Sequence, residues 1–139
     1  MVRNAAVAPL STPESDYQAG RCNIGPAEIA RRRRFGHASA VTAVALFALL
    51  LLTDAPGWLR LLLFLPAAGA AAGYLQAAFH FCADYGWRGV FNLDRPAGHG
   101  NVQSVADADA RRADRRMALF IGLSSAAVGT LVALIALLV

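Results

Sequence analysis

The stretch "RRRRFGHASAVTAVALFALLLLT", residues 31–53, decides the fold. Four arginines lead into an uncharged run from about Gly36 to Thr53. Wound as a helix at about 1.5 Å per residue, that run approaches the ~30 Å hydrocarbon core of a bilayer. Asp54, Pro56 and Gly57 follow at once and break the helix.

Two further runs repeat the pattern. "LRLLLFLPAAGAAAGYLQAAFHFCA" belongs to a second span placed at about residues 58–83. Arg60 near its start can reach the headgroups, and the interior Pro66 is expected to bend the axis. "MALFIGLSSAAVGTLVALIALLV", Met117 to Val139, forms a third. The composition agrees: 57% of the 139 residues are hydrophobic and 16% charged. Soluble domains usually carry about 45–50% and about 25%. The reading is an all-α, three-span transmembrane protein. Residues 1–21 form a flexible arm without the apolar core of a secretory signal. Residues 22–139 form the membrane domain, with a long loop and helix before the third span.

The charges suggest an orientation. Arg31, Arg32, Arg33 and Arg34 precede the first span. Arg88, Arg95, Arg111, Arg112, Arg115 and Arg116 fall between the second and third. Excess arginine marks the cytoplasmic side, so the N-terminus and the long loop are expected there, and the C-terminus outside. Residues 31–34 then act as a topology anchor that attracts anionic lipid. Nucleic-acid binding is the alternative for such a run. It lacks interleaved aromatic residues here, and no nucleic-acid partner is expected.

The polar segments also carry structure. "NIGPAEIARRRR" opens as a helix, with Pro26 in its first turn and Glu28 near its positive end. It either lies in the interface or runs into the first span. After the second span, "DYGWRGVF" and the Gly- and Pro-containing stretch beyond it imply a turn-rich hairpin. Ser104 and Asp107 resemble a capping box, and the helix they start is expected to continue into the third span.

In lipid, helices approach where side chains are small. Gly69 and Gly73 in the second span, and Gly122, Ala126 and Gly129 in the third, mark packing faces. These faces are expected to meet each other or another subunit. Three helices shield little from lipid, so other membrane subunits or self-association are the expected partners besides membrane lipids.

Candidate chemistry is sparse. Gln76, His80 and Asp84 follow at i, i+4 and i+8, one face of a continuous helix. They are either the polar residues of a helix leaving the membrane, or a buried stripe able to relay protons or hold a cofactor. Gln76 needs a partner, expected at Ser124, Ser125 or Thr130 of the third span or in a neighbouring subunit. Cys22, Cys82, His37 and His80 fall on one side of the membrane and offer thiol and imidazole ligands. Their spacing matches no zinc motif. Haem or a metal at His80 and Cys82 is the alternative to having no cofactor. No catalytic residue stands out, and independent enzymatic activity is not expected.

"CNIGPAEIARRRRFG", two apolar helices and "FCADYGWRG" together resemble a small two-helix inner-membrane domain family of unknown function. The resemblance covers about residues 22–89. It rests on Asn23, Gly25, Arg31, Gly36, Cys82, Tyr85 and Gly89. Some members are fused to rhodanese domains, so it implies an inner-membrane module and points toward thiol chemistry. Three readings result: an accessory, scaffold or assembly subunit of a bacterial membrane complex; a thiol-, haem- or metal-linked redox protein; and a homo-oligomeric transporter or channel.

Overall fold

The computed structural model describes residues 16–93 and 102–139. Helix α1 spans Pro26–Leu52. A 3₁₀ helix, Gly57–Leu63, leads into α2, Phe64–Ala78. Short helix α3 covers Ala83–Arg88. Strands β1 (Val90–Phe91) and β2 (Gln103–Ser104) pair antiparallel, Val90 opposite Ser104. Helix α4 runs from Ala108 to Leu137. Three stretches, Pro26–Leu52, Gly57–Ala78 and Ala108–Leu137, are long and apolar enough to cross a membrane. Among the described residues the chain is thus an all-helical multi-pass protein apart from its small ribbon.

Local chemistry sets the boundaries. Gly25 precedes Pro26, whose missing N–H costs nothing at the first helical position. The arginine run and the first span form one unbroken helix. It stops at Thr53, and Asp54 takes a left-handed φ of 47°. Asp107 caps α4, its carboxylate accepting from the Ala110 N–H at 2.8 Å. That cap lies later than the Ser104 start expected from the capping-box pattern. The α4 helix does run without a break into the third span.

The second span departs most from its expected form. Pro66 lies in the first turn of α2, just after the 3₁₀ segment, and not in the middle of a bent helix. The helix also ends at Ala78, not near residue 83. His80 adopts φ 53°, and the Phe81 N–H reaches back to the Gln76 carbonyl at 3.0 Å. This is a Schellman stop, with His80 in the left-handed position and Phe81 fully buried beyond it.

The second span lies between the other two and packs on both. A Cβ on Gly73 would lie 2.6 Å from the Gly36 Cα, and one on Gly69 would lie 3.1 Å from the Ser39 Oγ. These glycines therefore admit the first span, where the third span or another subunit is the expected neighbour. Gly129 serves the third: a Cβ there would lie 2.8 Å from the Ala68 Cβ. The buried line of α4 runs through Ile121, Ser125, Gly129, Ala133 and Ala136. Ala126 is half-buried beside it. Gly122 is exposed, with nothing within 4 Å of a Cβ, so it is no packing residue within this chain. Arg60 donates to the Ala136 carbonyl at 3.3 Å, supplying a partner to the last turn of α4.

Candidate functional site

Because α2 stops early, the chain after it turns inward at the arginine-rich end. There it builds a cap of buried polar groups. Phe81 and Cys82 are fully buried, as are Asn23, Glu28, Asn92 and Asp114. A buried polar group without a partner is costly, so each of these needs a bond.

Asn23 ties two segments together. Its side-chain oxygen accepts from the Cys82 N–H at 2.7 Å, and its amide donates to the Cys82 carbonyl at 3.0 Å. Its own backbone continues the joint. The Asn23 N–H donates to the His80 carbonyl at 3.2 Å, and its carbonyl accepts from the Asn92 N–H at 2.9 Å. The Gly25 N–H in turn donates to the Asn92 carbonyl at 2.9 Å. Ile24 thereby pairs with Asn92 as a parallel bridge. Gly25 is required there, since a Cβ would collide with the Leu93 carbonyl oxygen.

Around this joint lie Glu28, Arg32, Cys82 and Tyr85. The Arg32 guanidinium donates to the Cys82 Sγ at 2.9 Å and stands 3.8 Å from a Glu28 carboxylate oxygen. Arg31 donates to the other oxygen at 3.4 Å. Burial pushes the Cys82 thiol up, and the neighbouring Arg32 charge opposes that only in part. Cys82 is therefore a protonated thiol at neutral pH, not a ready nucleophile. The Tyr85 phenol is raised by burial and then by the Glu28 charge.

A second joint fixes the segment before α1. The Tyr17 hydroxyl donates to the Asp114 carboxylate at 2.6 Å, and the Gly20 N–H donates to its other oxygen at 2.7 Å. Tyr17 also stacks on Phe91, with ring centroids 4.7 Å apart. Burial, then the bond to Asp114, raise the Tyr17 phenol well above its usual range. Tyr17 and Gly20 thus anchor this segment to α4, so the arm ends before residue 17 and not at residue 21. Residues 1–15 lie outside the described residues, as do Arg95 and Pro96.

The other candidate residues separate. Gln76 is buried, but its partners are backbone. It donates to the Ala72 carbonyl at 3.1 Å and accepts from the Ala83 N–H at 3.1 Å. Ser125 bonds the Ile121 carbonyl of its own helix, so the expected Gln76 partner in the third span is corrected. His80 and Asp84 are exposed, and Asp84 pairs with Arg88 at 2.9 Å. The helix stop at residues 79–80 breaks the Gln76, His80 and Asp84 stripe. His37 bonds the Tyr74 hydroxyl at 2.7 Å, and the Cys22 thiol lies 3.7 Å from the Ile24 carbonyl. Burial raises the Cys22 thiol. Both cysteines are free. Among the described residues no cluster of three or more His, Cys, Asp or Glu could hold a metal, so the four candidate ligands do not form one set. Of the arginine run, Arg33 and Arg34 are exposed. Arg31 lies over Glu28, and Arg32 belongs to the buried cap.

Sequence reasoning missed the roles of Tyr17, Asn92 and Asp114. Each is a single polar residue whose partner lies far along the chain. The segments around Asn23 and Cys82, far apart in the sequence, meet. Comparison of the chain with protein-family models, with curated proteins and with solved structures finds no match.

Proposed function

We propose that this protein is an accessory, scaffold or assembly subunit of a larger complex in the bacterial inner membrane, acting by binding. The observation that carries this reading is the free face of α1. Only 11% of its most apolar window is buried within the chain. On that face Ala40, Val41, Val44, Ala45 and Ala48 line a shallow apolar depression of about 370 Å³. Small side chains at helical spacing let another helix bring its backbone close, a requirement that lipid tails do not impose. The polar cap supports the same reading, because it fixes α1 against the rest of the chain and so presents that face in one orientation.

The arginine distribution supports a cytoplasmic cap and an external C-terminus. The test is purification in mild detergent with Ala45→Trp as the control. A defined partner subunit should co-purify with the wild-type chain in fixed ratio and be lost from the variant. A monomer without partner, indifferent to Ala45→Trp, refutes the reading. A homo-oligomer disrupted by the variant shifts it to self-association. A reporter fused after Val139 that is active only in the cytoplasm overturns the orientation.

A further inference from the structure

Where α3 lies against α4, Ala83, Trp87, Ala118, Leu119, Gly122 and Leu123 line an apolar groove of about 280 Å³. It exists because Gly122 has no side chain and nothing else fills the space. The groove sits just below the boundary where the arginines of α4 give way to its apolar stretch at Met117. That is the depth at which an acyl chain begins beneath its headgroup. Trp87 forms one wall and is 55% exposed.

The charge at the mouth specifies the headgroup. The Arg115 guanidinium lies 5.9 Å from the centre of the Trp87 ring. Arg111 stands one turn away on the same helix face, its stem packed over Gly89. Four arginines at this end have carboxylate partners, Arg31 and Arg32 at Glu28, Arg88 at Asp84 and Arg112 at Asp109, whereas among the described residues Arg33, Arg34 and Arg116 have none but do not lie over the groove's tryptophan. Among the described residues neither Arg111 nor Arg115 forms such a pair. A planar guanidinium held on an aromatic ring at headgroup depth suits a phosphate oxygen. We infer that this groove binds one anionic glycerophospholipid, with an acyl chain along Gly122 and the headgroup phosphate on Arg115.

The chain has two tryptophans, and Trp58 lies at the opposite end of the second span. The full-length Trp58→Phe variant therefore leaves Trp87 as the sole reporter. It is reconstituted in mixed phosphatidylcholine and phosphatidylglycerol vesicles, with bromine on the chains of one lipid or the other. Brominated phosphatidylglycerol should quench Trp87 with about fivefold preference over its share of the bilayer, the effect of about one basic side chain at the surface. Arg115→Gln should bring the preference to unity, and Gly122→Leu should weaken quenching by occupying the groove. The variant Arg21→Gln removes exposed charge at the same end from outside α4 and should leave the preference intact. Equal quenching by both lipids overturns the inference. So does a preference that survives Arg115→Gln, or one that Arg21→Gln removes equally, since that reports diffuse surface charge.

Discussion

Asn23 bonds both backbone groups of Cys82 with its side chain, at 2.7 Å and 3.0 Å, although 59 positions separate them. One amide thus replaces a strand at the point where the chain leaves α2. Asn23→Ala leaves the buried Cys82 N–H without a partner, at about 1–3 kcal/mol, while the Cys82 carbonyl keeps the Gly86 N–H at 2.9 Å. A loss of about 1–3 kcal/mol is expected in denaturant or thermal unfolding in detergent. Asn23→Asp keeps the acceptor, loses the donor and buries a carboxylate, so it should rescue nothing. A cost below about 0.5 kcal/mol for Asn23→Ala, the size of an ordinary surface change, removes the joint from this account.

Tyr17 and Asp114 give the cap a dependence on pH. The folded chain holds the Tyr17 proton more tightly than the unfolded chain, whose phenol titrates near 10.0. The contribution is therefore complete below about pH 10 and is lost as pH rises above it, because the unfolded state then binds fewer protons. Tyr17→Phe should cost about 1.5–3 kcal/mol at pH 8, the scale of a hydrogen bond to a carboxylate. Above pH 10 the wild type should lose stability faster than the variant. Parallel curves for the two proteins refute the coupling.

Much of this architecture is legible in the sequence, because membrane spans are written in long uninterrupted composition. The first and third spans read directly, and so does the continuity of α4 with its charged beginning. The end of the second span does not read. Apolar residues continue through Phe81 and Cys82, and the stop depends on His80 taking a backbone geometry usually given to glycine. Everything built on a continuous helix there, above all a shared face for Gln76, His80 and Asp84, fails with it. The polar cap is illegible for another reason: its bonds join single residues across long separations, and no local period marks them.

The glycines supply a sharper test of packing. Gly73 faces Gly36 at 2.6 Å from a hypothetical Cβ, and Gly129 faces Ala68 at 2.8 Å. Gly73→Ala should force the first two spans apart and cost about 1–3 kcal/mol, the usual scale of overpacking. Gly129→Ala should act similarly between the second and third spans. Gly122→Ala meets open space and should be neutral. Unfolding measurements that rank Gly122→Ala as the most damaging of the three contradict the helix arrangement.

The thiols report whether the cap opens. Cys82 has no exposed surface, and burial keeps its sulfur protonated, whereas Cys22 is only partly covered. In a Cys22→Ser background, N-ethylmaleimide at pH 7 should label Cys82 only through transient opening of the cap, far more slowly than a free thiol. Labelling should become complete once the chain is unfolded in detergent. Adding Asn23→Ala should speed the reaction at pH 7, because that variant weakens the closure and leaves the thiol chemistry untouched. Rapid labelling of Cys82 in the otherwise intact chain would mean that the cap does not seal the sulfur. The thiol reading of this segment would then outrank the structural one.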